Sequence, residues 1–156
     1  MGGIDLLTGL SGTWDGPNRL WLRPTEAPHE SQSTATVLPV IGGRFVRIDY
    51  TWAYQGEPQE GSLLVGYETE DDVVTAVWTD SWHMGDKLMV CRGVAEASGS
   101  VDVRGSYAVQ SGPDWGWRTV IRSRDDGTFV MIMYNITPEG TEALAVEAVY
   151  TRAAPR

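Results

Sequence analysis

Asp80-Ser81-Trp82-His83 is the sharpest polar cluster in the chain. At strand spacing Asp80 shares a face with Trp78 and Trp82, while Ser81 and His83 face the other way. If the two indoles point inward, so does Asp80, and a buried carboxylate must be paired or its pKa rises. A structural Asp bonded to backbone amides or to an Arg is the first reading, and a catalytic carboxylate is the second, since structural pairs also perturb pKa values. His83 opens the turn Met84-Gly85-Asp86. It reads as an exposed or capping residue; a titrating His at a barrel mouth would also suit the gating of a pocket. Arg118 follows Trp117, and its planar fork suits a carboxylate or phosphate anchor. The plainer alternative is an outward Arg stacked on an indole.

Other chemistry has less support. His29, His83 and Cys91 show no short metal-ligand spacing, so no metal is expected. Nucleophile elbows, phosphate-cradling Gly loops and dinucleotide fingerprints are missing. Cys91 lies in an apolar-rich segment and reads as a small buried hydrophobe. The aromatic content is high, with 7 Trp and 6 Tyr. Trp14, Trp52, Trp78, Trp82, Trp115 and Trp117 fall in expected strands or at their ends. Such rings either fill a core or line a small-molecule pocket. The expected wall is Trp52, Trp78, Trp82 and Trp117, with Asp80 and Arg118 as its main polar contacts. Trp117 and Arg118 point to opposite faces by strict period, so both reach the interior only through a bulge or a strand end.

The elements that must position these residues are strands. Turn chemistry recurs at Gln55-Gly56-Glu57-Pro58, Glu70-Asp71-Asp72, Met84-Gly85-Asp86, Ala97-Ser98-Gly99, Ser111-Gly112-Pro113-Asp114, Asp125-Asp126-Gly127 and Thr137-Pro138-Glu139-Gly140. Between the turns apolar residues alternate, as in Val46, Ile48, Tyr50, Trp52 and Tyr54. About ten strands are expected, starting near Thr13, His29, Arg44, Ser62, Val73, Lys87, Val101, Trp115, Thr128 and Thr141. Tyr54 to Gly61 reads as an exposed hairpin loop open to proteolysis. No segment of helical period is long enough to cross between parallel strands, so the strands run antiparallel. A single all-β up-and-down barrel removes both sheet edges, with a sandwich as the alternative. Ile4 to Leu10 is expected to form a short helical turn that plugs one end, with Leu6, Leu7 and Leu10 inward.

Length and charge set the outer bounds. The 156 residues make one domain, 1–156, able to bury a core without staples. A net charge of -9 repels phosphate backbones, so no nucleic-acid partner is expected. Residues 1–11 have no basic start and no long apolar run, and no stretch is long enough to span a bilayer. With one cysteine, a cytoplasmic home and no membrane association are expected.

Gly12-Thr13-Trp14 after a short apolar lead-in resembles the start of a calycin barrel, the group that holds lipocalins and fatty-acid-binding proteins. Longer segments resemble the bacterial domain-of-unknown-function family fifteen-seventy-nine. They are Leu38-Pro39-Val40-Ile41-Gly42-Gly43-Arg44-Phe45-Val46, Gln59-Glu60-Gly61-Ser62-Leu63, Asp80-Ser81-Trp82-His83-Met84-Gly85 and Asp114-Trp115-Gly116-Trp117-Arg118. That resemblance implies a lipocalin-like barrel with Trp14 closing its floor, and no assigned activity. More distantly the chain resembles the nitrobindins, whose barrel holds haem. Gly12, Trp14 and Gly16 match their opening motif, but Asn18 replaces its last Gly, and no His follows His83 to serve as a late haem ligand. Haem is therefore disfavoured and no cofactor is expected.

The leading expectation is a monomeric or homodimeric barrel that binds a small apolar or amphipathic ligand through Trp14, Trp52, Trp78, Asp80, Trp82, His83, Trp117 and Arg118. Its rivals are a barrel enzyme acting through Asp80, His83 or Arg118, and a filled structural barrel without a cavity.

Overall fold

Alternating apolar residues and closely spaced turns produce hairpins from one end of the chain to the other. The structure, a computed structural model, describes residues 3–154. A short helix, α1 (Asp5–Gly9), precedes ten strands: β1 (Gly12–Leu20), β2 (His29–Val40), β3 (Phe45–Tyr54), β4 (Glu57–Glu68), β5 (Val73–Asp80), β6 (Met89–Ala95), β7 (Val101–Tyr107), β8 (Trp115–Ser123), β9 (Phe129–Ile136) and β10 (Glu142–Arg152). Each strand pairs antiparallel with its sequence neighbours, and β1 pairs with β10, which closes the barrel. Closure leaves no edge with unpaired amides.

One hairpin departs from expectation. Tyr54 pairs directly with Glu57, so Gln55 and Gly56 alone form the turn. Their φ angles are 50° and 82°, the doubly positive geometry of a tight hairpin turn. Glu57 to Glu60 are thus strand residues rather than a loop. Their polar composition hid this, because most of them face solvent at the barrel rim. The segment should resist limited proteolysis. Gly56→Ala should cost about 1 kcal/mol in a denaturation series, because an L side chain is strained at positive φ.

The end near α1 is closed. Ile4, Leu7 and Leu10 are buried against the barrel, while Leu6, expected inward, is partly buried and packs against the margin of the core. A five-residue helix has a narrow inward stripe, and residues 4, 7 and 10 share it at spacing three. Trp14 forms the floor. Its Nε1 donates to the Leu10 carbonyl at 2.8 Å, and its ring meets Phe129 edge-on at 4.7 Å. The Arg152 guanidinium lies 4.4 Å from the ring centroid. Above the floor, Val46, Ile48, Leu63, Val65, Ala76, Cys91, Val103, Met131 and Ala148 fill the interior to mid-height. Burial pushes the Cys91 thiol up to about 11, which suits an inert hydrophobe.

Candidate functional site

The other end of the barrel is organised by Asp80, the last residue of β5. Strand alternation puts it inward with Val74, Ala76 and Trp78. Its Oδ1 accepts the backbone N–H groups of Trp82 at 2.9 Å and His83 at 3.0 Å. Its Oδ2 accepts the Tyr50 hydroxyl at 2.7 Å and Trp52 Nε1 at 3.1 Å. Trp78 Nε1 in turn donates to the Tyr50 hydroxyl at 2.9 Å. The carboxylate therefore folds the turn after β5 back over the barrel mouth and locks the indoles of Trp52 and Trp78. Both oxygens act only as acceptors, which uses the capacity of an ionised carboxylate. Its partners are amides, a phenol and an indole; among the described residues no Arg takes part. Burial first, then the Asp80 charge, pushes the Tyr50 phenol well above its ordinary value.

Gly61 makes this arrangement possible. It lies opposite Tyr50 in the β3–β4 ladder, and a Cβ there would collide with the Tyr50 hydroxyl and ring. Gly61→Ala should displace Tyr50 from Asp80 and cost about 1–3 kcal/mol by overpacking, read as a lowered denaturation midpoint.

His83 is not the exposed residue expected from its turn. Held by the hydrogen bond that its backbone N–H donates to Asp80, its ring stacks on Trp52 with centroids 5.6 Å apart. It meets Trp82 at 4.8 Å, Trp117 at 5.2 Å and Trp78 at 5.7 Å. Neither ring nitrogen has a hydrogen-bond partner among the described residues. Burial holds His83 below its ordinary 6.5, opposed in part by the Asp80 charge. A His with a depressed folded pKa stays neutral in the fold while the unfolded chain takes up a proton. Stability should accordingly fall as pH drops below about 6.5. A His83→Asn variant should lose that component of the fall in melting midpoint between pH 7 and pH 5.

Around His83 opens a cavity of about 260 Å³, lined by Trp78, Trp82, Trp117, Tyr107 and Asn135 and rimmed by residues 21–24 of the β1–β2 connection. Trp78 and Trp117 are stacked at 5.2 Å, and Trp82 is 38% exposed at the mouth. The Tyr107 hydroxyl donates to Asn135 Oδ1, which leaves the Asn135 amide hydrogens free to serve a ligand. Behind His83 lies a second void of about 10 Å³ bordered by Asn18, Tyr50, Trp52 and Asp80, the size of a single water. Leu20 and His83 border both spaces, so His83 stands between them.

The sequence-derived residues separate accordingly. Trp78, Trp82, His83 and Trp117 line the cavity together. Trp52 and Asp80 border the inner void instead and support the wall from behind. Trp14 is at the closed end, bonded to the helix, and touches neither space. Arg118 is on the outer face. β8 runs in unbroken register with both neighbours, so Trp117 inward dictates Arg118 outward. The bulge is on β10, between Leu144 and Val146, where it buries both Ala145 and Val146. Arg118 pairs with Asp102 at 2.7 Å and Glu142 at 3.3 Å, and lies 5.2 Å from the Tyr134 centroid. The hydrogen bonds that its guanidinium donates to the Asp102 carboxylate hold its charge more firmly. Arg118→Met should therefore leave ligand affinity in the cavity unchanged, as a titration of the variant would show.

Sequence reading missed Tyr107, Asn135, Leu20, Met84 and Met89, which also line the cavity. Each is inward by alternation or next to the Asp80 turn, but none carries a motif. Comparison with known proteins agrees with this architecture. The model of the family described as "Protein of unknown function (DUF1579)" matches residues 5–152. The chain belongs to that family. No curated protein matches this DUF1579 chain. Among solved structures it is similar to the crystal structure of Rv2717c from M. tuberculosis, with a TM-score of 0.66 and 13% identity over 97% of each chain. At that identity the likeness is one of fold. No helix described in this DUF1579 protein is long and apolar enough to cross a membrane.

Proposed function

We propose that this DUF1579 protein binds a small apolar or amphipathic molecule in the indole-lined cavity at the open end of its barrel. The observation that carries the reading is the cavity of about 260 Å³ bounded by Trp78, Trp82, His83 and Trp117 above a filled core. An engineered apolar cavity of roughly 150 Å³ accepts a benzene-sized guest, so this one suits a molecule of one or two rings. Binding rather than catalysis is favoured because the acceptor positions of Asp80 are already engaged. With Arg118 outside, His83 and Tyr107 are the ionisable groups of the cavity interior, and Arg23 stands at its rim. The role matches that of the calycin barrels the chain resembles, and the buried lone thiol fits a reducing cytoplasm.

Native mass spectrometry of freshly purified protein tests the reading. A retained adduct of small mass is expected, and it should be absent from Ala143→Phe, which narrows the cavity from its wall. Protein without an adduct, together with no rise in melting midpoint against a panel of one- and two-ring compounds, would contradict it, since saturation at a hundred times Kd adds about 2.7 kcal/mol.

A further inference from the structure

The charge pattern around the cavity selects among ligands. Asp80 is buried, and among the described residues no Lys, Arg or His lies within ion-pair distance of it. Buried charges are ordinarily compensated by a partner of opposite sign. Hydrogen bonds from Tyr50, Trp52 and two amides spread this charge without cancelling it. Between Asp80 and the cavity stands the imidazole of His83, which burial keeps neutral and which offers an acceptor nitrogen to an N–H donor. Trp78, Trp82, Trp117 and Tyr107 bring π surface, the kind of lining that attracts cations, to a wall completed by Asn135 and by apolar residues such as Leu20, Met84 and Met89. Among the described residues the one cationic side chain at the rim is Arg23, which is 77% exposed and lies 3.9 Å from Glu26, so solvent and that carboxylate screen its charge from the interior. A chain of net charge -9 adds attraction at long range.

We propose that the cavity takes a small organic amine, whose ammonium group lies against His83 and the indoles of Trp78, Trp82 and Trp117 with the Asp80 carboxylate behind His83 as counter-charge. This rests on the ligand-cavity reading above and reverses the anionic anchor that Arg118 suggested in sequence. No bond is made or broken; the ligand's N–H donates to the imidazole, and the rings solvate the charge.

Three probes of one size and different charge test it on the unmodified protein at pH 7.5: phenethylamine, 2-phenylethanol and phenylacetate. Calorimetric titration should find phenethylamine at least about tenfold tighter than the alcohol, with phenylacetate weakest. Trp82→Ala, at an exposed position that the fold should tolerate, should weaken the amine about twofold to fivefold while changing the alcohol less. If the alcohol or phenylacetate binds as tightly as the amine, the cavity reading stands and the cation assignment is overturned. If none of the three binds, both are overturned.

Discussion

Trp14→Ala should lower the unfolding free energy by about 3–5 kcal/mol, a large share of the roughly 5–15 kcal/mol that holds a domain of ordinary stability. Trp14 is fully enclosed between Leu10, Phe129 and the Arg152 guanidinium, so its removal leaves a void that the floor cannot close. The same change frees α1 from β1, because the indole N–H is bonded to the carbonyl that follows the helix. Trp14→Phe should keep much of the packing and lose the hydrogen bond, costing about 1 kcal/mol from that term. Urea denaturation followed by far-ultraviolet circular dichroism measures both. A wild-type midpoint for Trp14→Ala would contradict the floor role. Ligand affinity in the folded variant should be unchanged, since the cavity is at the opposite end.

Asp80→Ala has the second largest expected effect, and it strikes stability and site together. It strands the Tyr50 hydroxyl, Trp52 Nε1 and the amides of Trp82 and His83 without their acceptor. Each buried unpaired group costs about 1–3 kcal/mol, less where water enters, so about 3–5 kcal/mol overall is expected. The turn that carries Trp82 and His83 should loosen, and the near-ultraviolet dichroism of the indole cluster should collapse further than the far-ultraviolet signal. A variant with native stability and an unchanged aromatic signal would show that Asp80 does not organise the barrel mouth.

Much of the barrel is legible in sequence because strand alternation and turn chemistry are local. Val46 to Tyr54 announces both its strand and its inward face, and Asp125-Asp126-Gly127 announces its hairpin. The start of β4 is not legible, because Glu57 to Glu60 lie at a wet rim where neither face carries the apolar signal. At the site, the inward direction of Trp78 and Asp80 follows from period two. The placement of His83 does not: it depends on Asp80 capturing the amide of a residue beyond the strand end, which turns the ring back among the indoles. The chemistry of Arg118 suggests an inward anchor, but its register places it outward, and register prevails because β8 has no bulge. Tyr107 and Asn135 come together across β7, β8 and β9, a proximity set by the pairing of three strands rather than by any motif.

The most direct measurement is a ¹H–¹⁵N correlation spectrum of the indole N–H groups during titration with phenethylamine. The protein has 7 such groups, each assignable by single Trp→Phe substitution. Saturable shifts are expected at Trp78, Trp82 and Trp117 with a common Kd, and none at Trp14. Equal shifts at Trp14 and the cavity indoles, or no saturable shift at any of them, would contradict a ligand site at the open end of the barrel.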